Sequence, residues 1–167
     1  MKQLLLIRHG KSDWDHPGLS DHDRPLNDRG RRDCPRMAAA LKSRAIAPDR
    51  IVTSTAVRAA TTAEAIADGL GVVRSGIEFR PELYLASPQV FLRVVQSLDE
   101  SAETTLIFGH NPGIHETVER LCDGESVDDF PTLAVARIEL DVDHWGEVEW
   151  GDGRLLECLL PRTLAPE

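Results

Sequence analysis

Leu4, Leu5, Leu6 and Ile7 form an unbroken apolar run that ends at Arg8 and His9, the pattern of a short strand buried on both faces of an α/β sheet. Residues 50–54 and 104–108 repeat the pattern, each followed by a polar turn and then a helical stretch. The first of these helices, residues 56–70, is Ala-rich and closed by Gly69 and Gly71. The second, residues 113–122, places Ile114, Val118 and Leu121 on one face. Residues 11–25 are rich in Asp, His, Pro and Gly without a period, and so form a long loop of the kind that is often functional. Asn27 caps the helix after it, which carries Met37, Ala40 and Leu41 to the core, and Pro35 predicts a kink or a late start.

Residues 77–80 read as an edge strand, with Glu82 and Leu83 opening a connector. Residues 87–98 read as a helix capped by Ser87 with Pro88 in its first position. Residues 133–140 alternate as a strand, and residues 148–150 and 155–160 flank Gly151, Asp152 and Gly153 as a hairpin. No repeat or linker divides the chain, so one domain over residues 1–161 is expected, with a loose tail at 162–167. Alternating strands and helices imply a three-layer α/β/α sandwich with a mainly parallel central sheet. In such sheets ligands bind beyond the carboxyl ends of the strands, where Arg8 and His9 fall.

Composition narrows the function. The 167 residues are enough for a core without disulfide or metal staples. A net charge of −9 speaks against a general nucleic-acid binder, because counterion release needs clustered Lys and Arg. Cys34, Cys122 and Cys158 lack zinc-ligand spacing, which favours a reducing compartment. The N-terminal apolar run is cut by Arg8, so neither a signal peptide nor a membrane span is expected, and the location is read as cytoplasmic.

Three segments carry chemistry. Arg8-His9-Gly10 brings a fixed cation and an imidazole out of a buried strand, with glycine permitting close approach of a ligand. Taken alone, the tripeptide is equally a strand cap and a structural ion pair. Gly109-His110-Asn111-Pro112 places a second histidine after another strand, just before a helix N-terminus that favours anions. Ser54 ends a strand, and Arg58 sits in the first turn of the next helix despite an unfavourable dipole there. No Walker A string, dinucleotide fingerprint or metal cluster is present, so no cofactor or metal is required.

Five segments in order, LLLIRHGKS, RPLNDRG (residues 24–30), TSTAVRAATTA, PELY (81–84) and LIFGHNP (106–112), resemble the histidine phosphatase, or phosphoglycerate mutase-like, superfamily and its small SixA-type phosphohistidine phosphatases. The resemblance implies that His9 is the nucleophile, that Arg8 and Arg58 bind phosphoryl oxygens, and that His110 stabilises the transferred group. Glu82 falls where larger relatives carry a proton donor. Ser12 and Asn111 are further candidate substrate contacts. Lys11, Ser12 and Asp15 depart from, or only partly match, the Glu-Ser and Asn that many relatives carry after Arg-His-Gly.

Phosphoryl transfer mainly needs positioning and stabilisation of equatorial oxygens, which guanidinium groups and imidazole supply without metal. Little chain beyond one helix and one strand separates Glu82 from His110, which leaves little material for a lid. An open site suits a phosphohistidine carried on a protein, with inorganic phosphate as product and no membrane or nucleic-acid partner. A small-molecule phosphomonoesterase is the alternative, and a non-catalytic phosphate-binding module is a reading of another class. Trp14, in the loop, either contacts a partner or packs on its neighbours.

Overall fold

The computed structural model describes residues 1–123, 125 and 127–164. Strand β1 (Lys2–Arg8) lies inside the sheet because both of its faces are apolar: Leu4 and Leu6 enter one core, Leu5 and Ile7 the other. It pairs in parallel with β4 (Thr104–Gly109) and antiparallel with β5 (Val135–Leu140). Beyond β4 lie β2 (Arg50–Thr53) and β3 (Ile77–Phe79), both parallel, while β6 (Gly153–Leu159) runs antiparallel to β5 at the opposite edge. The order is β3-β2-β4-β1-β5-β6.

Helices α1 (Asp28–Ser43) and α2 (Val57–Leu70) cover one face over Leu5, Ile7, Leu106 and Phe108. Helices α3 (Pro88–Gln96) and α4 (Gly113–Leu121) cover the other over Leu4, Leu6, Ile107 and Trp145. This is the expected three-layer sandwich with a mainly parallel sheet. Among the described residues no helix is long and apolar enough to cross a membrane.

Several local expectations change. Helix α1 begins at Asp28, where the Asn27 side chain accepts from Gly30 N at 2.8 Å, and runs past Pro35 instead of starting late. Pro35 and Arg31 are exposed, so the Arg31 carbonyl that Pro35 leaves without a helical donor faces water. Gly69 lies inside α2 and does not end it. A Cβ there would stand 2.4 Å from the Ala38 Cβ, so glycine lets α1 and α2 approach, and Gly71, at φ 74°, is the actual terminator.

Residues 148–150 form no strand. The Val148 amide closes a turn onto Trp145 O at 3.1 Å and its carbonyl accepts Gln96 Nε2 at 2.8 Å, so β6 takes β5 as its hairpin partner. Beyond β6 a 3-10 turn, Pro161–Thr163, follows where a loose tail is expected, and Arg36 donates to the Pro161 and Leu164 carbonyls. The rest of that tail, residues 165–167, lies outside the described residues.

Candidate active site

Strands β2, β4 and β1 are neighbours and parallel, so their carboxyl ends open onto one place. There β1 delivers Arg8 and His9, β4 delivers His110 and Asn111, and the turn from β2 into α2 delivers Ser54 and Arg58. The loop of residues 11–25 folds back over this edge. Ser12 bridges to Leu26, Asp13 N donates to Pro25 O at 2.8 Å, and Asn27 N donates to Lys11 O at 2.9 Å. The resulting cavity of about 240 Å³ is lined by Arg8, His9, Ser12, Arg24, Arg58, His110, Asn111 and Thr132, with Lys11, Trp14 and Leu85 exposed around it.

His9 is buried, and its Nδ1 lies 2.7 Å from Gly10 O. A carbonyl only accepts, so Nδ1 carries the proton and Nε2 keeps its lone pair. Burial, helped by the nearby charges of Arg8, Arg58 and Arg24, lowers the His9 pKa to about 3. The His110 ring sits 5.2 Å from that of His9, and its pKa is also lowered to about 3, first by burial and then by His9 and Arg58. His110 Nε2 meets Ser54 Oγ at 2.8 Å. Gly10, expected to admit a ligand, faces protein instead. A Cβ there would lie 3.3 Å from Leu26 Cδ2, and its amide donates to Thr62 Oγ1 at 3.0 Å.

Arg58 is 3% exposed, far from the solvated helix cation that its position alone suggests, and donates to Asp21 O at 2.7 Å and Asp21 Oδ2 at 3.0 Å. Arg8 donates to Phe130 O at 3.3 Å, as does Asn111 Nδ2 at 2.8 Å. Arg24 lines the cavity, donates to Ser12 Oγ, and stacks 3.5 Å from the Trp14 ring centroid. Trp14 therefore packs on Arg24 while staying 73% exposed. Six buried side-chain polar atoms among the described residues have no protein partner, and four of them, Arg8 Nε, Arg58 Nε, His110 Nδ1 and Asn111 Oδ1, belong to this lining. The two arginine Nε atoms are obligate donors, which suits an anion.

Glu82 is not brought to the cavity. It lies exposed on the 3-10 turn Pro81–Leu83, and both of its oxygens take the Arg80 guanidinium at 3.2 and 3.0 Å. That bond holds its carboxyl below the ordinary range, which is unsuited to proton donation. Tyr84, the residue after this turn, lies edge-on to His110 at 5.5 Å. Arg24, Asp21 and Tyr84 were not among the sequence candidates. Arg24 and Tyr84 lie within RPLNDRG and PELY, whereas Asp21 carried no sequence signal.

Two neutral imidazoles ringed by guanidinium groups, at the carboxyl ends of a doubly covered, mainly parallel sheet, suit the binding and transfer of a phosphoryl group. The chain belongs to the histidine phosphatase superfamily, branch 1, whose family model matches residues 4–84. It is 31% identical over 150 residues to the phosphohistidine phosphatase SixA of Escherichia coli strain K12, covering 89% of this chain and 91% of that one. The solved structure of the protein histidine phosphatase SixA complexed with tungstate matches at a TM-score of 0.83 and 29% identity, over 96% of this chain and 98% of that chain. A mycobacterial glucosyl-3-phosphoglycerate phosphatase shares the fold at a TM-score of 0.66 and 16% identity, over 93% of this chain and 97% of that one.

Proposed function

We propose that the protein hydrolyses phosphohistidine on a partner protein through a covalent phosphohistidine on His9. The observation that carries this reading is the cavity lining, which contains cations and imidazoles and, among the described residues, no Asp or Glu. An alkoxide leaving group needs a proton from a nearby acid, whereas the imidazole of a phosphohistidine leaves far more easily. The cavity volume of about 240 Å³ is below the roughly 300–1,000 Å³ of common small-molecule sites, so it suits a phosphoryl head group whose carrier stays outside.

In the proposed reaction His9 Nε2 forms a bond to phosphorus as the P–N bond of the substrate breaks, and the departing imidazole keeps that electron pair and is protonated from solvent. Arg8 and Arg58 bind the equatorial oxygens with Arg24, which sequence reasoning missed. His110 stabilises the transferred group, and Ser12 and Asn111 complete the wall. Water then attacks phosphorus, the bond to His9 breaks, and inorganic phosphate leaves. Residues 1–161 form the catalytic domain in this reading. All three cysteines are free, which supports a reducing cytoplasm.

A substrate panel tests the proposal. A phosphohistidine-bearing protein is expected to turn over with kcat/KM at least about 100-fold above sugar phosphates and nucleotides. Turnover of a sugar phosphate with the phosphohistidine protein untouched would make the chain a small-molecule phosphomonoesterase, and no turnover of any donor would make it a binding module. Glu82→Gln is expected to change kcat by less than about threefold on phosphohistidine, because the side chain touches Arg80 and not the cavity. Steady-state kinetics on the purified variant checks this, and a loss of 100-fold would restore Glu82 as the acid.

A further inference from the structure

We propose that Asp21 is the positioning residue of the site, a single carboxylate that holds Arg58 and Arg24 in register around the phosphoryl group. This rests on the phosphoryl-transfer reading above and assigns a role to a residue outside the cavity lining.

Asp21 Oδ1 accepts from Arg24 Nε at 3.3 Å and Nη2 at 3.1 Å. Its Oδ2 accepts from Arg58 Nη2 at 3.0 Å and from the Tyr84 hydroxyl, and its backbone carbonyl accepts from Arg58 Nη1 at 2.7 Å. A guanidinium is a rigid planar fork, so fixing two of its nitrogens fixes the direction of the rest. With Nη1 and Nη2 of Arg58 tied to Asp21, its buried Nε remains without a partner among the described residues. Arg24 is held by its Nε and Nη2 edge, which leaves Nη1 to reach Ser12 at the cavity wall.

The local fold makes Asp21 suited to this task. It opens the 3-10 turn Asp21–Asp23, and the Arg24 amide closes that turn onto Asp21 O at 3.2 Å. One residue thus spans two elements, the loop that carries Arg24 and the helix that carries Arg58. Tyr84 completes the arrangement: its hydroxyl meets Asp21, its ring lies 5.0 Å from His22 and 5.5 Å from His110. The carboxyl is held well below the ordinary range, first by Tyr84 and then by Arg24 and Arg58, so it stays ionised at working pH.

Two other roles for Asp21 make different predictions. A residue that only balances charge is replaceable by any carboxylate, and one that competes with substrate for the arginines is inhibitory. Asp21→Glu keeps the charge and displaces the oxygens by a methylene, whereas Asp21→Asn keeps the shape and removes the charge. Both are to be compared in the full chain, in the native and Arg58→Ala backgrounds, by kcat/KM on a phosphohistidine protein and by tungstate binding in a calorimeter.

Positioning predicts that Asp21→Glu lowers kcat/KM by about 10- to 100-fold, since a displacement near 1 Å costs that much, and weakens tungstate binding about tenfold. In the Arg58→Ala background the same change is expected to cost at least about fivefold less, because its main client is gone. Near-native activity of Asp21→Glu would overturn the proposal in favour of charge balance. Tighter tungstate binding with higher kcat/KM in Asp21→Asn would overturn it in favour of competition. Equal losses in both backgrounds would reduce Asp21 to a folding role. If the native chain leaves phosphohistidine untouched while tungstate binding shows the coupling to Arg58, the positioning role stands and the proposed substrate fails.

Discussion

His9→Ala is expected to lower kcat on a phosphohistidine protein by roughly 10⁴- to 10⁶-fold, the scale seen when a covalent nucleophile is removed. In the proposed reaction the substitution deletes the atom that takes the phosphoryl group, Nε2, whose lone pair is free because Nδ1 donates to Gly10 O. The loss should be chemical and not structural. Among the described residues the side chain's one protein hydrogen bond is to the neighbouring residue, while the backbone amide of His9 keeps its bond to Gly109 O at 3.1 Å. Steady-state kinetics beside a thermal melt separates the two: a cooperative melt near that of the native protein with activity gone supports the assignment. Because the His9 pKa is lowered to about 3, the free enzyme keeps a neutral nucleophile from pH 8 down through pH 5, whereas an ordinary histidine would be mostly protonated at the lower end.

The second large effect belongs to Arg58. Arg58→Ala is expected to lower kcat/KM by about 10²- to 10³-fold, the cost of removing one donor aimed at charge that develops in the transition state. Arg58→Lys is expected to recover only a small part. A lysine presents a point charge in place of the planar fork whose Nη1 and Nη2 meet Asp21 and whose Nε has no partner among the described residues. Initial-rate measurements on the three proteins check this, and full recovery by lysine would reduce the role of Arg58 to bulk positive charge.

Much of this site was legible because chemistry here sits where the fold punctuates the chain. A buried strand written as a continuous apolar run ends abruptly, and the polar residues that follow stand out, as Arg8 and His9 do after Ile7 and His110 after Gly109. Neighbouring parallel strands then bring such residues to one edge, although nothing in their spacing requires it. The order β2-β4-β1 supplies that convergence. Arg58 was readable as a candidate from its place in the first turn of the helix after Ser54 and from the segment TSTAVRAATTA; its 3% exposure comes from tertiary packing.

What stayed hidden depends on contacts between residues distant in sequence. Arg24 enters the cavity because the two ends of the loop pair with each other, Lys11, Ser12 and Asp13 against Asn27, Leu26 and Pro25, and no local pattern marks such a return. Glu82 lies outside the cavity because a single turn decides which side chain faces it, and the 3-10 turn at Pro81–Leu83 leaves Glu82 with Arg80 while Tyr84 faces His110. The hairpin was assigned to the wrong partner for a related reason. Val148 is apolar because it packs in the core beside Trp145, and burial without a free backbone edge does not make a strand.

That His9 carries the phosphoryl group is tested most directly by mixing the native protein for milliseconds with a protein donor bearing labelled phosphohistidine, quenching, and separating the two chains. The expected result is label on the native chain that is stable in alkali, lost in acid, and absent from His9→Ala. Hydrolysis of the donor with no label on the native chain at any quench time, or equal label on His9→Ala, would contradict the account.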